Sequence, residues 1–260
     1  MIYLVIFLLL LISLIWGLVE YHCLAIRDLD VMDFDPKHEV PEQLKGQKIV
    51  FLSDLQFDHK FSGFRHMAMR RVVKKTNALK PDLILFGGDL IHKMNPHNRN
   101  IEIYMKELNA PIIAILGNHD YYEIDYVLEL YKKLGITLLV NESIDYCGMQ
   151  IIGVDDLRIG KPVLPEVKDQ FTLLLTHSAD FVEIMDRSVD MALAGHFHGG
   201  MVTLFGLYAP VIKSAYGKKY QYGMIQGPTT KIFVGKGIGG YVFFIPMRFF
   251  ARPEIITIQF

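Results

Sequence analysis

This sequence has few cysteines and almost no net charge. Among 260 residues there are only two cysteines, Cys23 and Cys147, which excludes a disulfide scaffold as the source of stability. The 27 basic and 28 acidic residues leave a net charge of −1, which argues against a protein whose main task is to coat nucleic acid. With 51% hydrophobic residues the chain has enough apolar side chains to fill a substantial core.

Charge is absent from residues 1–19, where only Ser13 and Gly17 interrupt an apolar run. As a helix this run spans roughly 28 Å, close to the hydrocarbon thickness of a bilayer. No Lys or Arg precedes the run and no small-x-small site follows it, so a retained anchor is favoured over the alternative, a cleaved signal peptide. We therefore expect a single-pass anchor at the cell membrane. The flanking charges do not indicate its orientation.

The rest of the chain divides into a short connector and a larger domain. Residues 20–45 are acidic and contain prolines, which is typical of a juxtamembrane connector or a first edge strand. Within residues 46–260, apolar strands alternate with helical patterns at 64–79 and 125–134, which indicates an α/β fold with parallel neighbouring strands. The later part is richer in strands, with one further helix expected around 180–186.

Polar side chains follow five apolar strands at the point where each strand ends. Because ligands bind at the carboxyl ends of strands in open α/β sheets, these side chains are expected to converge on one site. The strand-end groups are Asp54 with Gln56, Asp89, Asn118 with His119 and Asp120, His177, and the pair His196 and His198.

These side chains offer oxygen and imidazole ligands but no thiolate. Carboxylate with imidazole suits Mn²⁺, Fe²⁺ or Zn²⁺. The set comprises Asp54, Gln56, Asp89, Asn118, His177, His196 and His198. Seven donors are too many for one tetrahedral ion. They suit two divalent ions that share a carboxylate, an arrangement that activates water and neutralises a phosphoryl group.

The order and spacing of these residues resemble the calcineurin-like metallophosphoesterase family. The family pattern D-x-H, G-D, G-N-H-[DE], H and G-H-x-H is matched at Asp54, Asp89, Asn118, His177 and His196 with their neighbours. Over residues 46–260 the resemblance implies two packed mixed β-sheets flanked by helices. The glycine-rich C-terminal part is similar to a bacterial branch that often has an N-terminal membrane segment. Some members of that branch hydrolyse the pyrophosphate of UDP-2,3-diacylglucosamine.

The resemblance also implies a role for each residue. The first of two metals would be bound by Asp54, residue 56 and His198, and the second by Asn118, His177 and His196, with Asp89 bridging them. A hydroxide between the metals would attack phosphorus. His119 would act at the leaving group, with Asp120 holding its imidazole.

Gln56 departs from the family pattern, which has histidine at this position. A glutamine oxygen is a neutral and weaker donor than imidazole, so we expect a looser first metal and a preference for Mn²⁺. His59, three residues on, is an alternative donor, although its spacing does not suit the strand end.

Two acid-free stretches and one aromatic segment leave alternatives open. The basic residues between Asp58 and Asp82 indicate either a solvated helix face or contact with anionic lipid. The basic residues of 191–253 predict a positive rim that attracts an anionic substrate. Residues 241–250 are either a core strand or a loop that enters the membrane or holds an acyl chain.

The expected function is phosphodiester or pyrophosphate hydrolysis on a membrane- or lipid-linked phosphate. Partners would be this substrate, or a phosphate-containing small molecule, and the membrane through residues 1–19. Three alternatives remain: a non-catalytic metal- or phosphate-binding member of the fold, a hydrolase of soluble nucleotides or phosphomonoesters, and a nuclease. The anchor and the charge balance weigh against the nuclease and against nucleic acid as a partner.

Overall fold

Two six-stranded mixed sheets form the centre of the fold. The computed structural model describes residues 1–58, 62–93, 95–242 and 245–260. The helices are α1 (Ile2–Tyr21), α2 (Ser62–Ala78), α3 (Ile101–Lys106) and α4 (Ile124–Leu134). The strands are β1 (Ala25–Asp30), β2 (Ile49–Leu52), β3 (Leu83–Phe86), β4 (Ile112–Ala114), β5 (Thr137–Leu138), β6 (Glu142–Tyr146), β7 (Met149–Gly153), β8 (Thr172–Thr176), β9 (Met191–Ala194), β10 (Gly223–Gln226), β11 (Lys231–Val234) and β12 (Glu254–Gln259).

The strand order places the ends of the chain together and the parallel strands at the centre of each sheet. The first sheet has the order β1-β12-β2-β3-β4-β5, and the second has β10-β11-β9-β8-β7-β6. Strands β2 to β5 are parallel, as are β7, β8, β9 and β11. The α/β prediction of two packed mixed sheets with flanking helices is confirmed.

The central strands are buried on both faces, which explains their unbroken apolar sequences. In β2, Ile49 and Phe51 point into the core between the sheets, where they meet residues of the second sheet such as Leu173. Val50 and Leu52 point the other way, into the core that α2 and α4 cover. Because side chains alternate along a strand, each apolar run fills two cores.

Two local predictions need correction. The helix expected around 180–186 is a short 3₁₀ turn, Ala179–Glu183, since Asp180 is tied to a distant loop through Ser214 and the backbone of Ala215. Residues 241–250 are not a core strand. Among the described residues, Val242 and Ile245 form an isolated bridge and Met247 packs on Gly17 of α1, whereas Phe243 and Phe244 lie outside the described residues.

Helix α1 is the one described helix whose length and apolar composition would suffice to cross a membrane. Its last turn is fixed to the domain. The Glu20 carboxylate accepts the backbone N–H of Phe250 at 2.7 Å, and the backbone N–H of Arg248 donates to the Gly17 carbonyl at 3.0 Å. The helix therefore has a defined position against residues 247–250.

Basic residues of α2 hold the segment that follows α1. Arg65 donates to the Tyr21 hydroxyl, Arg71 to the His22 carbonyl at 3.2 Å, and Lys75 to the Leu24 carbonyl at 2.5 Å. Three side chains of the first acid-free stretch are thus engaged within the protein. This use differs from both alternatives considered for the stretch.

A buried carboxylate attaches the segment before β2 to the second sheet. Asp190 accepts the backbone N–H groups of Lys37, His38 and Thr172, and it also contacts the His38 ring. Asp169 contacts the other ring nitrogen of His38 at 3.1 Å. These carboxylates, Asp169 first, raise the pKa of His38 above its usual value.

We predict that this contact makes stability depend on pH. Because folding raises the pKa of His38, its contribution should be complete below about pH 6.5 and lost as the pH rises through the folded-state pKa. For a partly exposed ion pair the contribution should be about 0.5 kcal/mol. Thermal unfolding of the wild type and His38→Gln at pH 5.5 and 8.5 measures the effect. Identical shifts of both proteins with pH would contradict the prediction.

Candidate metal centre

The seven predicted ligands meet where the carboxyl ends of the two sheets face each other. The first sheet contributes oxygen and amide donors, and the second sheet contributes imidazoles. Asp54, Gln56, Asp89 and Asn118 follow β2, β3 and β4, while His177, His196 and His198 follow β8 and β9. All seven side chains are buried or nearly so.

Three of these residues form a cluster with the donor chemistry of a metal site. Ligand atoms of Asp89, His177 and His196 lie within 4.8 Å of one another. The Asn118 Oδ1 atom is buried and has no hydrogen-bond partner among the described residues. Since a buried polar atom is normally paired, this unpartnered oxygen suits a cation as its partner. The donors assigned to the second metal therefore fit a divalent ion.

His177 is oriented as a metal ligand should be. Its Nδ1 donates to the Gly87 carbonyl at 2.7 Å, which directs Nε2 into the cluster. Nε2 lies 3.4 Å from the Asp89 carboxylate and 3.2 Å from His196 Nδ1. The backbone carbonyl thus fixes both the tautomer and the direction of the ring.

The three donors assigned to the first metal also converge, but N–H groups point into the space between them, where a cation would bind. Gln56 Nε2 donates to Asp89 Oδ2 at 2.9 Å and lies 3.2 Å from His198 Nε2. His198 Nε2 lies 3.5 Å from Asp54 Oδ1. The amide therefore presents its nitrogen, and its oxygen must rotate inward to bind a cation. His59, the alternative donor, lies outside the described residues.

Arg248 explains why the donors assigned to the first metal are less ready to bind a cation. Its guanidinium is fully buried and donates to His198 Nδ1 at 3.0 Å and to the His198 carbonyl at 2.8 Å. Because guanidinium can only donate, His198 Nδ1 accepts and Nε2 carries the hydrogen. The expectation that Arg248 belongs to an exposed positive rim is wrong, since its charge faces the site from inside.

His119 lies at the site but is held by a different group from the one expected. Its Nδ1 donates to the His92 carbonyl, and the two imidazoles stack with centroids 5.0 Å apart. The expectation that Asp120 holds this ring is wrong. The Asp120 carboxylate instead accepts the backbone N–H groups of Gly117, Asp89 and Leu90 at 2.8 to 2.9 Å. Asp120 therefore positions the loops after β3 and β4.

Two glycines of the motif permit close approach of the ligands. A Cβ atom at Gly117 would lie 2.3 Å from Asp89 Oδ1, and one at Gly195 would lie 2.3 Å from Asp54 Oδ2. Any larger residue would displace a carboxylate from the site. Glycine is therefore needed before Asn118 and His196 for a steric reason, namely to leave room for these carboxylates.

Burial and mutual charge set the protonation of the cluster. Burial raises the pKa of Asp54 to about 6 and lowers the pKa values of His196 and His198 well below their usual range. Burial acts against ionisation of Asp89 and His177 as well, but their mutual attraction prevails. It holds the pKa of Asp89 low and that of His177 well above its usual value. These shifts favour an ionised Asp89 paired with a protonated His177 and neutral His196 and His198, so a cation that binds His177 Nε2 would release the His177 proton.

A cavity of about 460 Å³ opens from the cluster. Arg158 and Lys213 line it, and Arg158 Nη1 lies 3.3 Å from His196 Nε2. Apolar side chains, including Met201, Val211 and Val242, also line the cavity. Sequence reasoning missed Arg158 and His92, although both follow strands of the sheets, where the other site residues were found.

Comparison with known proteins identifies the family. The model for calcineurin-like phosphoesterases matches residues 47–200. The chain belongs to this family. It is 35% identical over 235 residues to the "Uncharacterized metallophosphoesterase YkuE" of Bacillus subtilis, covering 83% of this chain and 79% of the relative. It is 31% identical over 235 residues to the "Phosphodiesterase YaeI" of Escherichia coli, covering 82% and 81%.

A vertebrate relative also combines this domain with a membrane segment. The chain is 26% identical over 271 residues to a "Transmembrane protein with metallophosphoesterase domain" of Danio rerio, covering 94% of this chain and 59% of the relative. The chain thus spans less than two thirds of that protein. With the family shown, the prediction that this metallophosphoesterase is a metal-dependent hydrolase is confirmed.

We predict unequal metal binding at the two donor sets. The purified protein should keep one divalent ion through extended dialysis and lose a second, because Gln56 and His198 present hydrogens to the first set. Gln56→His should retain more of the loosely held ion, which Asp54, residue 56 and His198 would bind. His177→Ala should lose the tightly held ion. Elemental analysis after dialysis measures both.

Gln43→His is the matched control, since Gln43 is exposed and has no role in the proposed site. It should leave metal content unchanged. Two ions retained equally by the wild type would contradict the prediction of a loose first ion.

Proposed function

We propose that this metallophosphoesterase is a phosphodiesterase or pyrophosphatase that acts on a membrane- or lipid-linked phosphate. The observation that carries the proposal is the cavity itself. Residues of the ligand set, two cationic side chains and several apolar side chains line it together. A molecule that carries both a phosphoryl group and an apolar part matches such walls.

We propose two divalent ions as cofactors, with Mn²⁺ favoured and the Asp89 carboxylate shared between them. When bound, such ions supply a water of lowered pKa as the nucleophile and neutralise charge on the phosphoryl group. Asn118, His177 and His196 would hold the ion that stays bound. Asp54, Gln56 and His198 would hold the exchangeable one after rotation of the amide.

His119 is proposed as the proton donor to the leaving oxygen. Its Nδ1 hydrogen is taken by the His92 carbonyl, so Nε2 is the atom free to exchange a proton in the cavity. Burial lowers the pKa of the neighbouring His92 to about 3, with His119 as the next cause. His92 therefore stays neutral and adds no positive charge next to His119.

The location of α1 supports a substrate at the membrane. The helix has the length of a bilayer span, and its last turn is fixed to residues 247–250 next to the site. We propose that α1 anchors the protein in the cell membrane and thereby keeps the cavity within reach of lipid-linked phosphate. The name of the Escherichia coli relative supports phosphodiester hydrolysis, and that of the zebrafish relative supports a membrane location.

We predict that hydrolysis depends on the cluster and on His119. His119→Ala should lower kcat by about 10²- to 10⁴-fold while metal content is kept, because only the proton donor is lost. Asp89→Ala should abolish both activity and tight metal binding. The measurement is Mn²⁺-dependent hydrolysis of a chromogenic phosphodiester. His38→Gln, which lies outside the cavity lining, is the control.

Activity that survives both Asp89→Ala and His119→Ala would place the chemistry elsewhere. Lack of activity in the wild type on every phosphoester, despite bound metal, would favour the alternative of a non-catalytic binding protein. A preference for soluble nucleotides or phosphomonoesters over lipid-linked substrates would contradict the lipid part of the proposal.

We predict that Arg158 and Lys213 bind the substrate phosphate. Arg158→Gln and Lys213→Gln should each raise KM about tenfold with kcat nearly unchanged, if the cation contacts substrate and transition state alike. Lys161→Gln removes a nearby exposed charge outside the cavity lining and should change neither constant. An equal loss of kcat and kcat/KM in Arg158→Gln would instead indicate transition-state stabilisation.

A further inference from the structure

Residues 202–211, called here the apolar hairpin, expose large hydrophobic side chains at a tight turn. Leu204 is 60%, Phe205 71% and Leu207 85% exposed. Leu204 pairs with Tyr208 in an antiparallel bridge, and the Leu207 N–H closes the turn on the Leu204 carbonyl at 3.0 Å. The turn is thus formed by backbone hydrogen bonds while its side chains contribute little to the core. A contiguous exposed apolar tip of this kind indicates a partner.

The apolar hairpin is fixed to the segment that docks α1. Thr203 donates to the Phe249 carbonyl at 2.9 Å, and Phe249 donates to the Met201 carbonyl at 2.8 Å. The rings of Phe205 and Phe250 lie 5.4 Å apart, and those of Phe250 and Trp16 lie 6.5 Å apart. A continuous row of aromatic rings therefore joins the tip of the hairpin to α1.

This row places the tip at the level of a membrane interface. Trp16 precedes the end of α1 at Tyr21 by five residues, or about 8 Å along the helix axis. Tryptophan at such a depth is typical of the interfacial layer of a bilayer. Phe205 is separated from Trp16 by the single ring of Phe250, so the Phe205 ring lies within about 12 Å of this interfacial residue.

The charges around the tip suit an anionic surface. Residues 191–253 contain no acid. Lys218 Nζ lies 3.2 Å from the centre of the Tyr208 ring, and Lys213 is exposed next to Val211. Of the nearby acids, Glu20 is buried and binds the Phe250 N–H, and Glu183 is paired with Lys219. Lysines that flank exposed apolar side chains bind anionic headgroups while the apolar groups enter the acyl boundary.

We propose that the apolar hairpin inserts into the interfacial layer of the bilayer that α1 crosses and forms a second membrane contact of the protein. The inference rests on the proposed location of α1 in the membrane. Val202, Pro210 and Val211 at the base of the hairpin also line the catalytic cavity. Insertion of the tip therefore brings the mouth of the cavity to the lipid headgroups.

The single tryptophan of the chain makes the proposal testable by fluorescence. The full-length protein is reconstituted into vesicles of phosphatidylcholine and phosphatidylglycerol, with and without bromine on the acyl chains. The double variant Trp16→Phe/Phe205→Trp should lose about half of its fluorescence to brominated lipid, as expected of an interfacial reporter. Trp16→Phe/Val163→Trp is the matched control, because Val163 is 61% exposed and bonded to Asn141, just before the far edge strand β6. Its reporter should not be quenched.

The outcomes separate this inference from the proposed function. Quenching of Trp16 in the wild type without quenching at position 205 overturns the hairpin contact and leaves the anchor intact. Quenching at position 205 without quenching of Trp16 supports the hairpin contact and overturns the anchor. Absence of quenching at both positions overturns both.

A second measurement covers a reporter variant that fails to fold. Phe205→Ser/Leu207→Ser should lower hydrolysis of a lipid-linked phosphodiester in vesicles several-fold and leave hydrolysis of a soluble chromogenic diester unchanged. Val163→Ser should change neither. Equal turnover of the lipid substrate by Phe205→Ser/Leu207→Ser and the wild type would overturn the inference. If the wild type hydrolyses only soluble esters, the lipid substrate of the proposed function fails, and quenching alone decides on the hairpin.

Discussion

The buried carboxylate of Asp89 is the group on which the arrangement of the two sheets depends. A carboxylate removed from water costs several kcal/mol unless donors or cations compensate it. Here the donors come from both sheets: Gln56 and the His119 backbone follow strands of the first sheet, and His177 follows β8 of the second. The sheets must therefore align their carboxyl ends, and the same alignment brings oxygen donors from one sheet to imidazoles from the other.

The compactness of the site has a conformational cost. Five of the seven proposed ligands have left-handed backbone conformations: Asp54, Gln56, Asp89, His196 and His198. Each such residue costs about 1 to 3 kcal/mol unless the surroundings impose it. Here each ligand directly follows a strand that is buried on both faces, so the strands fix the backbone on which the turn is built. The strain turns the side chains back across the strand ends toward one another.

The sequence allowed prediction of the features that local order determines, and failed where distant groups compete. Apolar runs that end in polar residues were sufficient to predict the converging ligands, because parallel strands bring their carboxyl ends together. They could not predict that Asp120 binds three backbone N–H groups and not the ring next to it, since that choice depends on the loop after β3. Likewise no local pattern distinguishes the buried Arg248 from the exposed basic residues of 191–253, because its position depends on distant groups such as Gly17 of α1 and His198.

Arg248 connects helix α1 to the candidate metal centre more directly than the sequence separation suggests. Its backbone N–H binds the Gly17 carbonyl, and its side chain binds His198. Glycine at position 17 favours this contact, because a Cβ there would lie 2.5 Å from Met247 Cε and 3.3 Å from the Arg248 carbonyl oxygen. A single residue thus sets the position of α1 and the hydrogen on His198. The two termini of the chain, which the first sheet brings together through β1 and β12, are for this reason parts of the site and not appendages to it.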